Sequence, residues 1–140
     1  MRLVAFDVGS KRTGVAVSDA SGTLARPYRV LHGRDALEAA IALIRELDED
    51  GVALIVVGLP KRLDGGETQA TPAARAFGQA LAARCGVPVV FEDERLTSVE
   101  AEARLAELEP DAAAAAVILQ DVLDRRAATA LRQVIDAGSR

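Results

Sequence analysis

Aromatic residues are nearly missing from this sequence: three Phe, one Tyr and no Trp stand among its 140 residues. The stacking platforms on which many single-strand binders lay bases are therefore not available. Cysteine occurs once, as Cys85 before Gly86. A lone thiol closes no internal disulfide, and without a second Cys or a neighbouring His it makes no metal-ligand pattern; a half-buried structural thiol is expected. Histidine also occurs once, as His32 at a strand end before Gly33, where an ordinary surface residue is expected. No apolar run reaches the length of a membrane span, and the N-terminal stretch MRLVAFDVGS carries Asp7 where a signal peptide needs an unbroken apolar region. A cytoplasmic protein without a membrane partner is expected. Positive charge is not in excess either: the net charge is -4 and the pI about 5.0. That excludes a protein that coats nucleic acid through bulk basicity, so any such contact must be local.

Half of the chain is hydrophobic, enough at this length for one compact domain over residues 1–140 that needs no disulfide or structural metal to build its core. Neither an internal repeat nor a linker breaks it. Residues 2–8 (RLVAFDV), 13–18 (TGVAVS) and 26–32 (RPYRVLH) are short apolar runs separated by turn-forming segments, which predicts a meander of three antiparallel strands. Asp35 and Glu38 form a helix N-cap pattern, and Leu37, Ala40, Ile41, Ile44 and Leu47 follow at helical spacing. ALIVVGLP (53–60) and VPVVFEDE (87–94) are strands of the continuous, β-branched kind buried on both faces, with a helix from Thr71-Pro72 to Gly86 between them. Thr97 and Glu100 form a further capping pattern, and a last helix runs from Asp111 towards Ile135. The expected fold class is α/β: a mixed five-stranded sheet, three strands antiparallel and two parallel, with helices on its faces.

Asp7 shares a sheet face with Leu3 and Ala5 by period-two alternation, so its carboxylate emerges from an otherwise apolar strand and needs a cation or hydrogen bonds. Gly9, just beyond it, leaves room for a metal or a phosphate to approach the backbone. Taken alone, Asp7 serves equally well as a cap of the hairpin turn. Glu92-Asp93-Glu94-Arg95 closes the fifth strand, and alternation sends Asp93 and Glu94 to opposite faces, so only one of them can readily join Asp7. Asp111 after Pro110 is by itself a normal helix cap. Three carboxylates gathered without His or Cys would suit Mg²⁺ or Mn²⁺, and two such ions held about 4 Å apart can activate water and stabilise the leaving oxygen in phosphodiester hydrolysis. The only two lysines, Lys11 and Lys61, each precede an arginine, Arg12 and Arg62, in Gly-containing loops. The second of these loops, Gly58 to Gly66, lacks the Walker spacing; it is either a flexible solvated loop or a grip on a nucleic-acid backbone. Asp121 and Asp124 read as the solvated face of the last helix.

Four ordered blocks, FDVGSKRTGVAVSD (6–19), VVGLP (56–60), EDERLTSVEA (92–101) and DAAAAAVILQDVLD (111–124), resemble the YqgF/RuvX family, described as Holliday-junction-resolvase-like and as nucleases maturing pre-16S ribosomal RNA. The resemblance spans nearly the whole chain. It implies an RNase H-like fold, a divalent metal cofactor (Mg²⁺ or Mn²⁺, two ions), and acidic ligands falling on Asp7, the Asp93-Glu94 pair and Asp111, with Glu94 preferred over Asp93. It also implies that Lys11, Arg12 and Arg95 flank the centre and hold substrate phosphate, beside Lys61 and Arg62. One departure is visible: many members carry a longer basic loop before the aspartate matching Asp111, whereas here only Ala106-Glu107-Leu108-Glu109-Pro110 stands there.

The function expected is metal-dependent hydrolysis of precursor ribosomal RNA by a monomer or homodimer. Resolution of branched DNA is the alternative within the same chemistry. Two other classes stay open on the sequence. The DxG hairpin also resembles the phosphate-binding element of actin-like and hexokinase-like ATPases, whose second lobe this chain has no room for. A non-catalytic ribosome- or nucleic-acid-binding module is compatible with the shortened loop, the acidic pI and the sparse aromatics.

Overall fold

The computed structural model describes the backbone of residues 2–94 and 110–138, and the side chains of residues 2–94 and 112–138. Strands β1 (Arg2–Val8), β2 (Arg12–Ser18) and β3 (Ala25–His32) form the expected meander, followed by helix α1 (Ala36–Leu47). A 3₁₀ turn (Asp48–Asp50) leads into β4 (Val52–Leu59), then come α2 (Thr71–Cys85), β5 (Val89–Asp93) and a final helix α3 (Pro110–Gly138). The sheet order is β3-β2-β1-β4-β5, with β1 antiparallel to β2, β2 antiparallel to β3, and β1, β4 and β5 mutually parallel. The Thr97–Glu100 capping pattern lies outside the described residues.

Alternation along β1 sorts its side chains into two cores. Val4 and Phe6 face α1 and α2 together with Val15, Val17, Ile55 and Val57, while Leu3 and Ala5 face α3 with Ala16, Ala25 and Val56. The first core is filled by large side chains, and Phe6 meets Phe77 of α2 edge to face at 5.5 Å. The second is alanine-rich on both sides, with Ala115 and Ala116 of α3 fully buried, so that helix can approach the sheet closely. Gln120 ties the same helix to the meander: its Oε1 accepts from Ala25 N at 2.8 Å and its Nε2 donates to Thr23 O at 3.1 Å.

Local chemistry differs from expectation at several points. Asp35 makes no side-chain cap bond; the first turn of α1 is closed by Ala39 N–H donating to the Asp35 carbonyl. Gly58, which the sequence placed both in the strand 53–60 and at the head of the following loop, lies within β4. Asp121 is buried, 9% exposed, and 3.3 Å from Arg125 Nε, so it does not lie on a solvated helix face. Asp124 is only half-exposed and accepts from Gln120 Nε2 at 3.0 Å. α2 ends as its sequence demands, on Gly86 in the left-handed region (φ 69°).

Candidate active site

Because β1, β4 and β5 run parallel, their carboxyl ends share one edge of the sheet, where ligand sites of open α/β folds tend to form. Asp7 sits there, one residue from the end of β1, on the face covered by α3. Its neighbours across the sheet are glycines. Gly14 of β2 pairs directly with Asp7, and the register that pairs Phe6 with Val57 brings Gly58 of β4 to its other flank. A carboxylate flanked by two residues without side chains has room for a second group beside it.

That group is Glu94. It stands directly after β5 and lies over Gly58: a Cβ placed on Gly58 would be 2.9 Å from Glu94 Oε1, 3.2 Å from its Cγ and 2.7 Å from Ile118 Cδ1 of α3. Only glycine at residue 58 lets the glutamate and the helix meet over the strand. Glu94 Oε1 is buried, and the carboxyl hydrogen-bonds that of Asp7. Burial, then the hydrogen bond to Asp7, then the charges of Asp7 and Asp93 push the Glu94 carboxyl up to about 8. At neutral pH the Glu94 carboxyl is therefore largely protonated beside Asp7. Two carboxyl groups held together in this way make a place for a cation, and an all-oxygen donor set fits a hard divalent ion.

Asp93 points elsewhere. It pairs with Leu59 and, two residues after Phe91, shares the face packed on α1 and α2. Of the two acids that alternation separates, Glu94 is the one on the Asp7 side. Glu92, on that same side, is held by Arg125 of α3 at 2.7 Å, and Arg125 is in turn 3.3 Å from Asp121. This acid–base–acid bridge ties β5 to α3 next to the carboxyl pair. Asp111 lies in the first turn of α3, seven residues before Ile118 and so about 10 Å along the helix axis from the side chain over Gly58. Its side chain and all of Arg95 lie outside the described residues. Among the described residues no cluster of three or more metal-ligating side chains is assembled.

The basic loops flank this edge differently. Lys11 and Arg12 follow Asp7 through a tight turn in which a Cβ on Gly9 would meet the Arg12 carbonyl oxygen. The hairpin itself thus requires glycine at residue 9. The backbones of Lys61 and Glu67 form an isolated antiparallel β-bridge, and Arg62 N–H donates to Gly66 O, which closes the loop after β4 into a small structured turn. Within it Arg62 is paired with Asp64, whose other oxygen accepts from Gly66 N, while Leu63 is 95% exposed at the tip. Gly58 and Gly14 are the site residues that the sequence reading missed. The signal for Gly58 was present as a glycine inside an otherwise β-branched strand, the mark of a close approach.

Known proteins are similar in sequence and share this fold. A family model described as "RuvX: Holliday junction resolvase" matches residues 1–125. A protein of Lactiplantibacillus plantarum named "Putative pre-16S rRNA nuclease" is 41% identical, over 89% of this chain and 95% of its own. One of the same name from an Anaeromyxobacter species is 42% identical, over 90% and 98% respectively. Among solved structures, RuvC of Thermus thermophilus in complex with a Holliday junction substrate superposes with a TM-score of 0.59 at 15% identity, covering 90% of this chain and 95% of that one. At that identity the likeness shows the fold alone, and the fold is RNase H-like.

Proposed function

The chain belongs to the RuvX family, and from that premise we propose that it is a nuclease whose reaction centre is the Asp7–Glu94 carboxyl pair, acting on precursor 16S ribosomal RNA in the cytoplasm. The observation that carries this reading is the contact between two carboxyl groups over Gly58 at the carboxyl edge of the sheet. Asp7, Glu94 and Asp111 would hold Mg²⁺ or Mn²⁺, with Asp93 close enough to add its charge. Such ions supply an activated water and stabilise the developing charge on phosphate oxygens. The chain's own part is to hold two oxygens at fixed positions. Gly58 leaves the space that Glu94 and Ile118 share over β4, and the Glu92–Arg125–Asp121 bridge keeps β5 against α3. A divalent ion held there would need Glu94 ionised, so its binding would strengthen as pH rises through about 8. Lys11 and Arg12, next to Asp7, would take substrate phosphate together with Lys61 and Arg95. Arg62 would have to leave Asp64 to do the same.

The deciding test is a cleavage panel of precursor ribosomal RNA, single-stranded RNA and DNA, and a four-way junction, run with Mg²⁺ and with Mn²⁺ on wild type and Asp7→Asn. The expected result is metal-dependent cleavage of the precursor RNA by wild type and none by the variant at unchanged thermal stability. Equal cleavage by both proteins removes Asp7 from the centre. Cleavage confined to the junction selects branched DNA, the second reading, which the family's description favours.

A further inference from the structure

Positive charge in this acidic protein is gathered on one edge of its sheet. Residues 11–34 hold five Lys and Arg against a single acid, whereas the whole chain has 17 against 21. That acid, Asp19, is engaged in its own turn, accepting from Ser21 Oγ, Thr23 N and Leu24 N. β3 is the outermost strand, and Arg26, Arg29 and Arg34 on it and just after it are exposed. None of these three makes an ion pair with another described residue. The contrast with Arg2, Arg75, Arg84 and Arg125, each within 4 Å of a carboxylate, is plain. Arg29 is positioned without being neutralised, its guanidinium 5.2 Å from the centre of the Tyr28 ring, which packs on the core.

The row leads to the candidate active site. Gly33 N–H donates to the Lys11 carbonyl at 3.1 Å, and His32 pairs with Arg12, so the end of β3 joins the turn that follows Asp7. The seven residues from Arg26 to His32, six steps of strand, span about 20 Å, the rise of about six nucleotides along one strand of a duplex. A second copy of the chain is a poor occupant. Pro27 interrupts the donors of this edge, and arginines from two copies would repel. A polynucleotide backbone suits a row of exposed guanidinium groups.

We propose that the β3 edge, through Arg26, Arg29 and Arg34, is a backbone-binding tract that holds the nucleic acid flanking the cleaved bond. The proposal rests on the nuclease reading for its substrate, but its test is separate. Binding of a labelled precursor-rRNA fragment is measured against salt in an Asp7→Asn background, with the three arginines intact or changed to Gln, and again with all three changed to Lys. The Gln variant is expected to bind about tenfold or more weakly at low salt, and the slope of log K against log salt to fall by about 2, at about 0.7 per lost single-strand phosphate contact. The Lys variant, which keeps the charges, restores the slope. An unchanged slope in the Gln variant overturns the tract and leaves the Asp7 centre standing. A lost slope in a protein whose wild type cleaves nothing overturns the nuclease reading and keeps the tract. Loss of binding to anionic vesicles with RNA binding intact would assign the edge to a membrane surface and overturn the proposal.

Discussion

Replacing Glu94 by Gln probes the proton in the carboxyl pair directly. In the ion-free protein this carboxyl holds its proton up to about pH 8, against an ordinary value of 4.5. A group with a raised folded value contributes stability that is fully present below the unfolded value and is lost as pH rises through the folded one. Folded wild type should therefore lose stability between about pH 4.5 and about pH 8 through this one residue, with no further loss above. At about 1.4 kcal/mol for each tenfold difference in proton affinity, the ceiling is about 5 kcal/mol. Glu94 is only half-buried, and water screens its interaction with Asp7, so about 2 kcal/mol is the expected effect. Gln fills the same space, keeps a donor for Asp7 and does not titrate. Urea denaturation in EDTA, followed for both proteins from about pH 5 to about pH 9, should show the variant gaining on wild type by that amount. In thermal melts the gap would be about 6 °C. Saturating Mg²⁺ or Mn²⁺ should remove the loss from wild type at high pH, since the ion replaces the proton. Parallel stability curves across the whole range would refute the proton on Glu94 and the cation site inferred from it.

Two further perturbations test how the site is built. Gly58→Ala places a methyl 2.9 Å from Glu94 Oε1 and 2.7 Å from Ile118 Cδ1. It is expected to cost about 1–3 kcal/mol in urea denaturation and to lower kcat at least about tenfold by displacing Glu94; unchanged kcat would show that the glutamate can move without consequence. Gln120→Ala leaves the buried Ala25 N–H without its acceptor and frees α3 from the β2–β3 turn. A loss of about 2 kcal/mol in the same assay is expected, and a loss below about 0.5 kcal/mol would show that other contacts hold that helix in place.

Where a residue's role follows from strand alternation, the sequence was enough. Leu3, Ala5 and Asp7 share a face because β1 has no bulge between them, and the opposite parity of Asp93 and Glu94 already meant that only one could reach Asp7. The parallel pairing of β1, β4 and β5 decides which, since it puts Glu94 rather than Asp93 on the α3 side. What alternation cannot supply is the distance between strands that are far apart in sequence. Gly58 fell both in the predicted strand 53–60 and at the head of the loop 58–66, and neither assignment gave it a purpose. Its purpose exists only once Glu94 and Ile118 arrive from other elements to meet above it. At Gly9 the hairpin adds a demand that the sequence did not show: a Cβ there would meet the Arg12 carbonyl.

Charge shows a related limit. A net charge of -4 argued against a broad basic surface, and that inference holds for the molecule as a whole. Potential at a surface depends on which charges are neighbours, however, and the arginines of β3 become neighbours of Lys11 and Arg12 only through the antiparallel register of β2 with β3. The same register sets β3 at the rim of the sheet, where arginines carry no desolvation cost and a proline is tolerated. An acidic average thus conceals a basic rim that ends beside the carboxyl pair, and acidic surfaces elsewhere would steer a polyanion towards that rim.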